Sequence, residues 1–113
     1  MELILQSLKE DKESFLKAGY HLPDFDYETV KKNTARRPAW IHFGAGNIFR
    51  AFQCNVVQNL LNAGAMDTGL IAAEGFDYEI IEKMYRPHDN LSILATLKAD
   101  CTVEKTIVGS IME

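Results

Sequence analysis

Short apolar runs alternate with segments of helical periodicity along the chain. A buried strand is predicted at residues 40–43, which read Trp-Ile-His-Phe and end at Gly44. Apolar residues then recur at intervals of three and four as far as Leu61, which predicts an amphipathic helix that ends at Gly64. Residues 70–73 form a short continuous apolar run, typical of a strand buried in a parallel sheet. Two strands joined by a helix of this length predict a right-handed βαβ unit.

The predicted helix has two contrasting faces. Its apolar stripe is expected to face the core, and consists of Phe49, Phe52, Val56, Val57, Leu60 and Leu61. The opposite face is polar but uncharged beyond Arg50, and consists of Gln53, Asn55, Gln58, Asn59 and Asn62. Because a helix that simply faces water usually carries charges, another part of a longer protein is expected to cover this polar face.

The segments before this unit are less regular. Residues 2–18 mix apolar positions at helical spacing with charged residues, which predicts a surface helix that ends at Gly19. Residues 20–38 lack a clear period and contain Pro23 and Pro38. They predict an irregular connector with one short helical turn near residues 28–32.

The segments after the second strand predict a helix and a hairpin. Asp77 is expected to cap a helix that runs to about Arg86 and that Pro87 stops. Its inward-facing residues are expected to be Ile80, Ile81 and Met84. Residues 91–97 and 102–109 are rich in β-formers, and the short link between them predicts antiparallel pairing. The predicted fold class is therefore α/β, a partial Rossmann-type dinucleotide-binding fold with an added antiparallel hairpin and a mixed sheet.

Composition and charge narrow the possible partners. The chain has 113 residues, of which 47% are hydrophobic and 25% charged. At about 30 residues per βαβ unit, this length holds little more than one half of a dinucleotide domain, so a fragment is expected. The net charge of −4 leaves no basic surface for a nucleic acid. No apolar run has the length of a membrane span and the N-terminus lacks signal-peptide features, so a cytoplasmic protein is expected.

The two cysteines, Cys54 and Cys101, lie in neither a CxxC motif nor a zinc-ligand pattern. Free thiols and no metal site are therefore predicted.

The candidate chemistry lies in the turn between the first strand and the long helix. The backbone N–H groups of a Gly-x-Gly turn and the following helix N-terminus suit a phosphate. Gly44 or Gly46 can adopt a conformation closed to other residues, and the other glycine lets a ligand approach. Arg50 lies in the first helical turn, where a cation opposes the helix dipole unless an anion such as pyrophosphate intervenes. The alternative is that Arg50 turns outwards or pairs with a local carboxylate.

Glu74 ends the second strand, where a dinucleotide site needs an acid. Its carboxylate could accept both hydrogen bonds from an adenosine ribose diol. It stands about 28 positions after Gly46, against about 20 expected, and a long first helix accounts for the excess. A carboxylate there would repel a 2′-phosphate, which favours NAD over NADP. The alternative is a solvated Glu74, and Asp77 is a second candidate that helix capping explains equally well.

Residues 41–53, Ile-His-Phe-Gly-Ala-Gly-Asn-Ile-Phe-Arg-Ala-Phe-Gln, resemble the N-terminal signature of the long-chain mannitol dehydrogenase family. In that family a Gly-x-Gly-Asn turn is followed by two variable residues and Arg, so Phe49 at the usual third-glycine position is in keeping. The strand before Glu74 and the hairpin leading to residues 108–111 look like the family's next elements. The resemblance covers about residues 22–113 and leaves the first 20 residues outside it.

The resemblance implies which residues contact the cofactor. It assigns Gly44, Gly46, Asn47 and Arg50 to the pyrophosphate and Glu74 to the ribose. The full set of predicted cofactor-binding residues is Gly44, Gly46, Asn47, Ile48, Phe49, Arg50, Glu74 and Asp77.

The resemblance also implies an activity for the full-length protein. Members are NAD-dependent, metal-independent secondary-alcohol dehydrogenases that oxidise a sugar alcohol or reduce a hexuronate by hydride transfer. Their catalytic lysine lies in a downstream helical domain, so no catalytic residue is predicted in this chain, and the polyol or sugar acid would bind through that domain. Residues 1–20 are predicted as a surface helix and residues 21–113 as the N-terminal portion of the dinucleotide-binding domain.

Two alternative functions stay open. S-adenosylmethionine-dependent methyltransferases also use a glycine turn after a first strand and an acid at the end of the second. A non-catalytic module that binds a nucleotide or assembles with another chain is the other.

Overall fold

The computed structural model describes residues 1–113, which form short helices around two small β-sheets. The helices are α1 (Leu5–Glu10), α2 (Lys12–Lys17), α3 (Tyr27–Arg36), α4 (Asn47–Ala51), α5 (Gln53–Asn62) and α6 (Tyr78–Ile80). A π turn (Ile81–Tyr85) and a 3-10 turn (Arg86–His88) follow α6. The strands are β1 (Tyr20–His21), β2 (Ile41–Phe43), β3 (Ile71–Ala73), β4 (Ser92–Leu97) and β5 (Val103–Val108).

The strand pairing confirms the predicted parallel unit, hairpin and mixed sheet. β2 and β3 pair in parallel, with Ile41 opposite Ile71. β4 and β5 pair antiparallel, and β1 adds to β5 in parallel, which makes the three-stranded sheet mixed. Beyond the hairpin, the chain runs parallel to β3 through a bridge between Leu70 and Ile111. Residues 110–113 therefore lie on one side of β3, and β2 lies on its other side.

The connector before β2 is more ordered than predicted. Where one short helical turn was expected, α3 spans 10 residues and β1 precedes it. Asp26 caps α3, since its side chain accepts a hydrogen bond from the Thr29 amide at 3.1 Å. Val30 and Thr34, four residues apart, are buried. Two lysines between them obscure this pair in the sequence.

The predicted N-terminal helix is two helices of six residues each, with Asp11 between them. They cover the hairpin through a small second core made of Phe15, Leu91 and Ile107. The first 20 residues are thus joined to the rest of the fold by apolar packing.

The prediction that β2 is buried was wrong. Ile41 and Phe43 are 51% and 84% exposed. The physical reason is that β2 is an edge strand with a strand partner on one side only, so it is less covered than a strand inside a parallel sheet. The intervening His42 is half-buried.

The inward face of α5 also differs from the predicted stripe. Phe49, Val57 and Leu61 are buried as expected, but the other three apolar residues are exposed. They form an exposed ridge at four-residue spacing, made of Phe52, Val56 and Leu60. Cys54 and Gln58 take the inward positions in their place.

This chain itself covers part of the polar face of α5, whereas Asn59 and Asn62 are exposed, so the expectation that another part of a longer protein covers this face stays a prediction. Gln58 is buried, donates to the Ile107 carbonyl at 2.8 Å and accepts from the Gly109 amide at 2.6 Å. The Asn62 side chain accepts from the Asp24 amide at 2.8 Å. These polar side chains satisfy backbone groups of the hairpin and the connector.

The helical segment after Glu74 departs from the predicted regular helix. The Asp77 side chain makes no capping hydrogen bond, which contradicts the prediction that it caps this segment. The Glu74 carboxylate instead accepts a hydrogen bond from the Asp77 amide, just before the helix begins, at 3.1 Å. The π turn holds one residue more than an α turn, so the buried position falls on Tyr85 and not on Met84, which is 45% exposed.

The structure also bears on the two cysteines, on metal ligands and on membrane-spanning helices. Cys54 and Cys101 are both free, the first buried and the second exposed. No group of three or more potential ligands could hold a metal ion. None of the helices has the length and apolar character needed to span a membrane.

We predict that Gln58→Ala destabilises the fold by about 2–4 kcal/mol, because it leaves a buried carbonyl and a buried amide without partners. Asn59→Ala, on the exposed side of the same helix, is the matched control and should change the free energy of unfolding by less than about 0.5 kcal/mol. Urea unfolding of both variants measures the difference. Equal effects would contradict the assigned role of Gln58.

Candidate functional site

The Gly-x-Gly turn follows β2, and its two glycines differ in backbone conformation and in the space beside them. Gly44 has a φ of +110°, a conformation that residues with a Cβ rarely adopt, and its amide donates to the Ala73 carbonyl at 2.8 Å. Gly46 is extended, with φ −77° and ψ −178°. A Cβ built on Gly46 would meet no atom within 4 Å. Gly44 therefore shapes the turn, and Gly46 leaves open space beside the backbone.

Ala45, between the glycines, is held through both of its backbone polar groups. Its amide donates to Glu74 Oε2 at 2.9 Å, and its carbonyl accepts from the Tyr85 hydroxyl at 3.0 Å. Ala45 itself is fully buried. Side chains from the end of β3 and from the π turn thus fix the middle of the glycine turn.

His42 and Phe49 support the turn from inside. The His42 ring stacks on the Phe49 ring with centroids 3.9 Å apart, and His42 Nδ1 lies 2.9 Å from the Gly44 carbonyl oxygen. Phe49 is buried, so its side chain belongs to the core, and only its backbone borders the turn.

Arg50 lies one helical turn after Gly46. Its guanidinium donates to Asn47 Oδ1 and lies over the Tyr85 ring, with Cζ 5.7 Å from the ring centroid. Its Nε is buried and has no hydrogen-bond partner. No carboxylate pairs with it, in contrast to the alternative of a local ion pair.

A cleft of about 380 Å³ opens beside Arg50 and Asn47. Its other lining residues are mostly apolar and come from the N-terminus, the end of α4, the two turns after α6 and residues 91–94 at the start of β4. Arg50 is the only Lys or Arg in the lining, and the lining contains no Asp or Glu. A larger cavity of about 500 Å³ lies elsewhere, between α2, β1 and α5, and contains none of the predicted site residues. The cleft at Arg50 is the one that suits an anion.

Glu74 contacts three backbone amides. Oε1 accepts from Phe76 at 3.2 Å and from Asp77 at 3.1 Å, and Oε2 accepts from Ala45. The Asp77, Ala45 and Phe76 amides together lower the pKa of the Glu74 carboxyl below its usual value of 4.5. A carboxylate has about four acceptor sites, so about one remains on Oε2 for a further donor.

The structure brings most of the predicted site residues to one corner. Gly44, Gly46, Asn47 and Arg50 adjoin the turn, and Glu74 reaches it from β3. Ile48 is 80% exposed beside them. Asp77 is exposed and touches the site through its amide only.

Tyr85 contacts the corner but was absent from the sequence-based set. A regular helical period points to Met84, and nothing in the local sequence signals the π turn that replaces it with Tyr85. The only sequence feature that could have indicated Tyr85 as a site residue is the position of a tyrosine near the end of an otherwise apolar helical stripe.

The parallel strand pair, the glycine turn and the helices that follow it define a Rossmann-type fold. No family model matches the chain. D-mannonate oxidoreductase from Thermotoga maritima is 50% identical over 113 residues, which cover 100% of this chain and 21% of that protein.

Two solved structures share the fold. Pseudomonas fluorescens mannitol 2-dehydrogenase, in a ternary complex with NAD and D-mannitol, matches with a TM-score of 0.79 and 23% identity over 100% of this chain and 21% of its own. A substrate-free D-sorbitol dehydrogenase matches with a TM-score of 0.69 and 22% identity over 85% of this chain and 19% of its own.

These comparisons confirm the resemblance to the N-terminal part of mannitol dehydrogenase-type proteins that the signature around the glycine turn indicated. The chain spans about one fifth of the length of the relatives it matches. The match includes the first 20 residues, which the sequence resemblance had left out.

We predict that Gly44→Ala and Gly46→Ala differ in stability. The first forces a Cβ into a positive-φ conformation and should destabilise the fold by about 1–2 kcal/mol. The second meets open space at an ordinary φ and should leave stability unchanged or raise it by about 0.5 kcal/mol. Urea unfolding of the two variants measures this, and a more harmful Gly46→Ala would contradict the assigned geometry.

The Glu74 carboxyl is expected to contribute to stability in a pH-dependent way. Its pKa is lower in the folded chain than in the unfolded chain, so its contribution is present above about pH 4.5 and is lost as the pH falls through the folded-state pKa. The Glu74 side chain should titrate below 4.5 in carbon-detected NMR. Glu74→Gln should make the acid-induced loss of stability less steep, whereas Glu79→Gln, whose carboxylate contacts Lys83 and no backbone amide, should not.

Proposed function

We propose that this chain forms the adenosine- and pyrophosphate-binding portion of an NAD-dependent secondary-alcohol dehydrogenase that needs no metal. The full-length protein would oxidise a sugar alcohol or reduce a sugar acid such as a hexuronate. The observation that carries the proposal is the open corner where Gly46, the start of α4 and a guanidinium that pairs with no carboxylate meet. The 50% identity to a D-mannonate oxidoreductase supports the substrate class.

The pyrophosphate would lie against the open side of the turn. The first backbone amides of a helix have no acceptor within the helix, so those of Asn47 and Ile48 are available to phosphate oxygens. Phe49 would take part through its amide alone, since its ring is in the core. Arg50 would supply the positive charge, and a bound anion would remove the unfavourable interaction of this cation with the helix dipole.

The ribose of the adenosine would bind at Glu74. The sequence suggested that Glu74 accepts hydrogen bonds from both ribose hydroxyls. Because only about one acceptor site of its carboxylate is free, Glu74 would accept one of them. The exposed carboxylate of Asp77 is a candidate for the other hydroxyl. Two acids beside the ribose would repel a 2′-phosphate, which favours NAD over NADP.

Bound NAD would accept or give a hydride at its nicotinamide ring. This chain would bind and orient the other half of the cofactor, and the proton transfer would use residues outside it. Three of the lysine and histidine side chains in this chain already have partners of their own. Lys98 pairs with Glu104 at 2.8 Å, Lys105 donates to the Ala18 carbonyl, and His88 lies within hydrogen-bond distance of the Leu3 carbonyl.

Calorimetric titration of the chain with NAD tests the proposal. We expect binding of NAD and weaker binding of NADP. Arg50→Met should weaken NAD binding about tenfold or more, because a charged hydrogen bond to phosphate is lost. Arg86→Met removes an exposed arginine that pairs with Glu82 and serves as the matched control, with no change expected.

Other outcomes would favour other functions. Binding of S-adenosylmethionine without NAD would favour a methyltransferase, and binding of neither would favour an assembly module. NADH formation from mannitol or mannonate by residues 1–113 alone would contradict the absence of catalytic residues.

A further inference from the structure

Tyr85 is the one side chain that contacts both the backbone of the glycine turn and the arginine beside it. It is 3% exposed, and its hydroxyl donates to the Ala45 carbonyl 40 residues earlier in the chain. Its ring faces the Arg50 guanidinium at 5.7 Å. A buried tyrosine hydroxyl needs a partner, and the turn provides it.

The π turn is what brings Tyr85 to this place. An α-helical continuation from Ile80 would direct Met84 inwards, but the wider turn over Ile81–Tyr85 moves the inward position on by one residue. Such turns have less favourable hydrogen bonding and occur frequently at functional sites. Here the buried Tyr85 ring and its hydrogen bond to Ala45 stabilise the wider turn.

The Tyr85 hydroxyl carries its proton at neutral pH. Burial raises the pKa of its hydroxyl above the ordinary value of 10.0, although the nearby Arg50 acts in the opposite direction. The hydroxyl is therefore a donor to the Ala45 carbonyl. Glu74 accepts from the amide of the same residue, so the two side chains hold Ala45 from both of its polar groups.

We propose that Tyr85 is a positioning residue for a diphosphate. Its hydroxyl fixes the peptide of Ala45, which sets the direction of the amides that follow it. Its ring holds the Arg50 guanidinium by a cation–π contact next to those amides. The identity of the anion rests on the proposed function, whereas the positioning of the turn does not.

The positioning is tested first without any ligand, by NMR of the chain. Tyr85→Phe keeps the ring and removes the hydroxyl, so exchange of the Ala45 amide should become about three- to tenfold faster. Tyr85→Leu also removes the ring, so the Arg50 side-chain protons should lose their upfield ring-current shift. Tyr27→Phe, a half-buried tyrosine on α3 without a hydroxyl hydrogen bond, is the matched control and should change neither signal.

The ligand arm compares NAD with adenosine, which lacks the diphosphate. Tyr85→Phe should weaken NAD binding about three- to tenfold and leave adenosine binding unchanged within about twofold. An equal loss for both ligands would mean a general structural effect and would overturn the proposal.

The two arms separate the possible failures. Unchanged Ala45 exchange in Tyr85→Phe would overturn the positioning role whatever binds. Faster exchange in a chain that does not bind NAD would support the positioning role and contradict the proposed function. Tyr85→Phe retains the buried ring, so the test stands even if Tyr85→Leu fails to fold.

Discussion

The hydrogen bond between the Ala45 amide and the Glu74 carboxylate joins the two halves of the site. It connects the turn after β2 with the end of β3, 29 residues apart in sequence. The same carboxylate accepts the amides that begin the next helical segment. Because one side chain serves three backbone donors, the turn, the strand end and the helix start form a single unit. Tyr85 completes this unit from the opposite side of the Ala45 peptide.

The sequence predicted the parts of the fold that depend on local signals. The parallel pairing of β2 with β3 and the hairpin follow from apolar runs and link lengths, and both are present. The glycine turn was predicted with one of its two glycines in a conformation closed to other residues, and Gly44 has that conformation. The resemblance to a family signature drew on the same short stretch.

The features that the sequence did not predict depend on tertiary contacts, which local sequence patterns do not indicate. Gln58 is buried because the hairpin presents an unpaired carbonyl and an unpaired amide to it, so a polar residue takes a core position. Phe52 is exposed for the complementary reason, since nothing in this chain packs on that side of the helix. Tyr85 is buried through a π turn. At the site, the residue types were predictable, but the number of amides bound to Glu74 was not.

The threefold use of the Glu74 carboxylate has a consequence for the evolution of cofactor preference. Acceptance of a 2′-phosphate usually calls for a neutral or basic residue at the end of this strand. Under the proposed function, such an exchange would also leave three amides without their acceptor and loosen the glycine turn. A lineage could therefore change its dinucleotide only together with a compensating change that secures Ala45, which makes this preference slow to drift.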